Sequence, residues 1–182
     1  MRRNKIREIV LCSLFSALIA IGAFIKIPVP VVPFTLQFLF TNMAGILLGS
    51  KSGFISVMSY IALGLCGLPV FAQGGGISYI LQPSFGYLLG FAAGSFVTGK
   101  IAEKFQNPSV KILMLASFSG LLIVYALGMI YYALISNFYL GTPIGLWPLF
   151  LYCFILVVPG DIALCFLSAS LGKILITVLR KN

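Results

Sequence analysis

The sequence has no histidine and only three acidic residues, and charged side chains of either sign make up 8% of its 182 positions. Soluble domains are roughly 25% charged, and a globule of this length exposes too much surface for so few charges to cover. A water-soluble enzyme is thereby excluded. The missing histidines remove the commonest general base, proton shuttle and metal ligand. A Ser-His-Asp hydrolase, an H-E-x-x-H protease and a haem protein with histidine ligation are excluded with them. No metal site and no cofactor is expected. The chain also lacks a phosphate-binding G-x-x-x-x-G-K-[ST] motif, so if it moves a solute uphill it does so without a nucleotide motor of its own. Heptads, low-complexity tracts and long linkers are missing too. Cys12, Cys66, Cys153 and Cys165 form no C-x-x-C pair and read as small apolar side chains within or at the ends of spans.

What is present is apolar sequence, 60% of the chain. A bilayer core takes about 20 mostly apolar residues per helix. Residues 9–25 form one uncharged run. A second, 27–50, opens with Pro28, Pro30 and Pro33, which push its helix to about 35–50. Residues 52–99 are uncharged and too long for one span, and they are interrupted by Pro69, Gly74, Gly75, Gly76 and Pro83. Residues 112–160 are likewise interrupted by Gly141, Pro143 and Gly145. The expectation is an all-α membrane protein, a single integral membrane domain over 1–182. Its six spans fall near 9–25, 35–50, 53–67, 84–101, 112–135 and 149–172. With the N-terminus in the cytoplasm, Arg2, Arg3, Lys5, Arg7, Lys51, Lys100, Lys104, Lys111, Lys173, Arg180 and Lys181 all fall on the cytoplasmic side, and Lys26 alone falls outside. This positive-inside bias accounts for the net charge of +9 without nucleic acid. Both termini are then cytoplasmic, and the location is the cell membrane. The basic start followed by an apolar run has no small-x-small cleavage site and reads as a retained helix.

Four features could carry function. Asp161 lies inside the last span with no basic residue three or four positions away. A carboxylate within a membrane needs a partner from another helix, a loop, water or a ligand. The preceding Pro159-Gly160 pair can break the helix beside it. Residues 67–86, GLPVFAQGGGISYILQPSFG, combine three glycines with Phe71, Gln73, Ser78, Tyr79 and Gln82. Aromatic faces with a few amides and hydroxyls suit a small, partly polar ligand, the alternative being a plain connector. Residues 25–37, IKIPVPVVPFTLQ, are extended and external, and they place Gln37 at the top of a span. Gln37 could read an amide or ureido group, while Lys26 either meets an anion or snorkels. Small-residue stripes, Gly86-Gly90-Gly94 and Ser13-Ala17-Ala20, let helices approach closely. The first of these suits internal packing. The second suits internal packing or a partner protein.

With these residues in view, the chain resembles the BioY family, the substrate-binding S components of energy-coupling factor (ECF) biotin transporters. The resemblance is carried in order by PFTLQ (33–37), AGILLGSKSGFISVMSYIALGLCGLPVFAQGGG (44–76), YILQPSFGYLLGF (79–91) and PGD (159–161). It implies a six-helix S-component fold with an outward pocket roofed by the first and third external loops. It also implies two kinds of partner, a transmembrane T component and two ATPase subunits, and inward release of ligand after the S component reorients. Asp161 carries over as a ligand residue able to accept ureido N–H groups, with Gln37 completing the pairing. Gly74 and Gly75 would let the loop close on the ring, Ser78 would lie beside them, and Tyr79 or Tyr87 would pack on its apolar parts. Two departures stand out: Leu164 where the family commonly has lysine, and Phe85 where it usually has glycine. With the tail cation gone, Lys26 or the loop N–H groups would substitute. The alternatives are lipoate or another carboxylate vitamin as ligand, or a stand-alone transporter with Asp161 as its proton site.

Overall fold

The computed structural model describes residues 5–27, 33–141 and 144–181, the side chains at 146 and 179–181 excepted. Arg2, Arg3, Pro28, Pro30 and Pro143 lie outside the described residues. The chain runs through α1 (Lys5–Phe24), a short antiparallel pair β1 (Lys26–Ile27) and β2 (Phe34–Thr35), α2 (Gln37–Leu48) and α3 (Ser50–Leu65). A 3₁₀ turn (Ile77–Leu81) precedes α4 (Phe85–Glu103) and α5 (Val110–Leu134), which continues through a π-helical turn (Ile135–Tyr139). A last rod joins α6 (Leu146–Phe150), a second π-helical turn (Leu151–Ile155) and α7 (Val158–Lys181).

Four rods are long and apolar enough to cross a membrane: Lys5–Phe24, Phe85–Glu103, Val110–Tyr139 and Trp147–Val178. α1, α4 and the last rod run past the expected boundaries at their charged ends. Lysine and arginine can continue a helix there, because their aliphatic stems lie along it while the charge reaches the headgroups. The remaining two helices are short. At about 1.5 Å per residue, α2 is about 18 Å and α3 about 24 Å long, against a bilayer core of about 30 Å. α2 tolerates this because it is the central helix. Ten of its twelve residues are buried, and α1, α3, α4 and α7 all pack on it. Its ends meet protein, so its length need not match the lipid.

Large apolar side chains point outward along the rods, among them Leu14 and Ile21 on α1, Leu115, Leu122 and Ile130 on α5, and Phe166 on α7. That is the inverse of a soluble helix and suits a lipid surround. Inside, glycines bring α4 and α5 together. A Cβ at Gly90 would stand 2.8 Å from Val124 Cα, and one at Gly94 would stand 2.9 Å from the Gly120 carbonyl oxygen. A methyl group at either would push the two backbones apart.

The two ends of the bundle differ in charge. At one end Gly49, at φ +89°, turns the chain directly from α2 into α3. The Glu103 carboxylate accepts from Ser50 N (2.7 Å) and Ser50 Oγ (3.0 Å). An anion is favoured at a helix start, where unpaired N–H groups point outward. Ser52 Oγ donates to Glu8, and Lys173 Nζ donates to Asn107 Oδ1 at 2.6 Å. The starts of α1, α3 and α5 and the ends of α2, α4 and α7 meet here. Lys5, Arg7, Lys51, Lys100, Lys104, Lys111 and Lys173 therefore gather at this end. The opposite end carries β1–β2, the loop before α4 and the approach to α6. Lys26 is its one cation among the described residues.

Candidate functional site

The last rod is broken just before its only acid. The π-helical turn Leu151–Ile155 ends in a bend, and α7 restarts at Val158. Pro159 then falls in the first turn, where its missing N–H forfeits no helical bond. Asp161 also sits in that first turn, where the helix end favours negative charge. It is buried at 7% exposure, and Tyr125 Oη of α5 donates to Asp161 Oδ2 at 2.5 Å. Tyr125 is held in turn by an edge-on contact with Phe154, ring centroids 5.0 Å apart. A phenol donating to a buried carboxylate is a charge-assisted bond that fixes its rotamer.

Gln37 starts the central helix and is 3% exposed. Its Oε1 accepts from Thr35 Oγ1 at 3.2 Å, and its Nε2 donates to Tyr60 Oη at 2.7 Å. Tyr60 donates onward to the Val70 carbonyl oxygen at 3.0 Å. A primary amide has two N–H donors and two lone pairs. One of each is used, so one of each remains for a ligand. Gln37 and Asp161 line a single cleft that opens to solvent. Tyr79, Ser84, Tyr87, Phe91, Tyr125 and Cys153 supply much of the rest of its wall. Tyr87 Oη donates to the Cys153 carbonyl oxygen, 3.4 Å away, in the π-helical turn. Such turns expose carbonyls that an α-helix would use internally.

The loop between α3 and α4 is a packed element. Phe71 is buried against Gly64 and pairs with Gly74 in a tight antiparallel bridge. Its ring meets Tyr60 edge-on at 5.4 Å and Tyr79 at 4.4 Å. Gly74 and Gly76 sit at φ +118° and +100°, where a Cβ is strained. A Cβ at Gly75 would overlap the Leu68 carbonyl oxygen. Three side chains from elsewhere hold loop carbonyls: Tyr60 on Val70, Lys26 on Ala72 at 2.8 Å, and Tyr131 on Ile80. Burial pushes the Tyr79 hydroxyl above its ordinary pKa, so it stays a neutral donor and acceptor. Ser84 Oγ lies 3.3 Å from it.

Of the residues singled out from sequence, Gln37, Tyr79, Tyr87 and Asp161 share this cleft. Gly74 and Gly75 shape the loop behind Ala72 without lining the cleft. Ser78 is exposed, and Lys26 points to the loop backbone. Tyr125, Thr35, Ser84 and Cys153 line the cleft as well; Thr35 and Ser84 lie within the quoted motifs without being singled out, and no sequence motif marks Tyr125 or Cys153. Leu164, at the position expected for a cation, is buried in the apolar core. Among the described residues no group of histidine, cysteine and acidic side chains could hold a metal.

Residues 1–181 match the model of the BioY family. The Lysinibacillus sphaericus protein named "Probable biotin transporter BioY" is 43% identical over 99% of this chain and 92% of its own length. The "Biotin transporter BioY" of Thermotoga maritima is 42% identical over 73% of this chain and 76% of its own. A crystal structure described as the S-component for biotin from an ECF-type ABC transporter superposes with a TM-score of 0.80 at 30% identity, covering 100% of this chain and 95% of that one. The chain is thus a multi-pass membrane protein with the S-component fold, and it belongs to the BioY family.

Proposed function

We propose that this chain captures biotin at the outer face of the cytoplasmic membrane and imports it as the S component of an ECF transporter. The observation that carries this is the pairing of Asp161 and Gln37 across one cleft. Biotin's ureido ring presents two N–H donors and one carbonyl. A carboxylate held by Tyr125 accepts the former, and an amide with a spare donor serves the latter. The aromatic wall suits the fused sulfur ring and the apolar chain. The basic end of the bundle supports an outward-facing cleft, since cations favour the cytoplasmic side. The lack of a nucleotide-binding motif supports ATP hydrolysis in partner chains, a T component and two ATPase subunits. Ser13 and Ala17, exposed on α1, offer one of those partners a surface for close helix packing.

Isothermal titration of purified protein tests the reading. Asp161→Asn keeps the size of the side chain and removes the anionic acceptor. Binding weakens at least tenfold, about 1.4 kcal/mol. Unchanged affinity in a folded Asp161→Asn protein would remove Asp161 from the ligand, and an absence of biotin binding by the wild-type protein would remove the reading itself.

A further inference from the structure

The cleft is built for the neutral head of its ligand, and no cationic side chain among its described lining residues meets an anion. Its one acid is Asp161, and no lysine or arginine lines it among the described residues. The segments outside the described range near this end read PVPVV and TP, without a cation. Lys26 is the one cation at this end, and its ammonium is bonded to the Ala72 carbonyl oxygen at 2.8 Å. The other described cations lie toward the opposite end, the nearest along the chain, Lys173, about 18 Å of helix beyond Asp161.

Most of the neutral donors are already engaged, and the spare Gln37 N–H and the Tyr79 hydroxyl proton carry no charge to set against an anion. Thr35 donates to Gln37, Tyr87 to the Cys153 carbonyl and Tyr125 to Asp161. Ser84 is within bonding distance of Tyr79. A second carboxylate in this space would face Asp161 across a low-dielectric interior with one phenol to offset it, and both desolvation and like-charge repulsion oppose that.

Resting on the biotin reading above, we infer that the tail carboxylate of the ligand stays outside the cleft, in water at its mouth. The chain therefore accepts ureido-ring ligands whose carboxyl is masked as an amide or ester about as well as the free acid. The substrate class widens from the free vitamin to its conjugates with amines. Lys26 on this account is a latch between the β1–β2 segment and the loop before α4, not the counter-ion of the ligand.

The test is a titration of wild-type and Lys26→Ala protein with biotin, biotinamide and biotin methyl ester. The expected result is Kd values for amide and ester within about threefold of that for biotin. Lys26→Ala is expected to shift all three ligands by a common factor. A carboxylate held by a cation or a donor cradle contributes about tenfold or more. A loss of tenfold or more for amide and ester while biotin still binds overturns the inference and leaves the biotin reading standing. So does a Lys26→Ala effect confined to the free acid. Failure of all three ligands to bind overturns the biotin reading, and the inference with it.

Discussion

At the scale of single residues, the least expected feature is the phenol that holds the acid. Asp161 reaches the cleft with Tyr125 as its side-chain partner at 2.5 Å, and the rest of its surroundings are largely apolar. An acceptor so placed depends on its donor for both orientation and charge dispersal. Tyr125→Phe deletes one oxygen and leaves the ring against Phe154. It is expected to weaken biotin binding about three- to tenfold. Because both side chains belong to one network, the Tyr125→Phe/Asp161→Asn double variant should bind little worse than Asp161→Asn alone. A titration cycle over the four proteins checks this, and additive losses would separate the two residues. Asp161 could be found from sequence because an acid inside an uncharged run has few bland explanations. Tyr125 could not. It is one of eight tyrosines, it lies 36 positions from its partner, and only the packing of α5 on α7 makes them meet. Ser78 and Ser84 show the same limit: both sit in one polar-aromatic stretch, and the 3₁₀ turn decides which serine faces inward.

At the scale of elements, the loop before α4 is held by its own core. Phe71 fills the space that Gly64 leaves open and packs between Tyr60, edge-on, and the tilted ring of Tyr79. Truncating such a ring costs about 3–5 kcal/mol. Most of that cost should fall on the loop, because the helices keep their own contacts. Phe71→Ala is therefore expected to leave helical circular dichroism intact, speed proteolysis within 66–84 and raise the biotin dissociation rate. Unaltered proteolysis would mean that the carbonyl bonds from Lys26, Tyr60 and Tyr131 suffice without the ring. The apolar, glycine-rich stretch signalled an ordered loop, but its glycines do different jobs. Gly74 and Gly76 serve backbone angles, while Gly75 serves close approach to Leu68. The break before α7 was readable from Pro159-Gly160. The π-helical turns beside it were not, since one extra residue per turn leaves no mark in composition. Counting uncharged residues also overstated α2, because a helix sheathed by four others is freed from the thickness of the bilayer.

At the scale of the whole molecule, orientation follows from where twelve cations fall in a chain with three acids. Glu8 and Glu103 are bound at the start of α3, amid the basic end. The cleft end is left with one lysine and one buried carboxylate. Cytoplasmic retention of basic loops then turns the cleft outward, and the cysteines supply a probe of that orientation without new mutations. Cys12, Cys153 and Cys165 are buried, whereas Cys66 is exposed where α3 ends at the cleft side. A membrane-impermeant maleimide added to intact cells should label the protein, and Cys66→Ser should abolish that label. A cysteine placed at Lys104, at the end of α4, in the Cys66→Ser background should react only after permeabilisation. Labelling of the Lys104 position from outside, with Cys66 silent until the membrane is opened, would invert the molecule. It would point the cleft at the cytoplasm and make capture from the medium physically impossible in this conformation. The charge distribution predicts the first pattern, because inversion would carry at least seven basic side chains across the bilayer and return one.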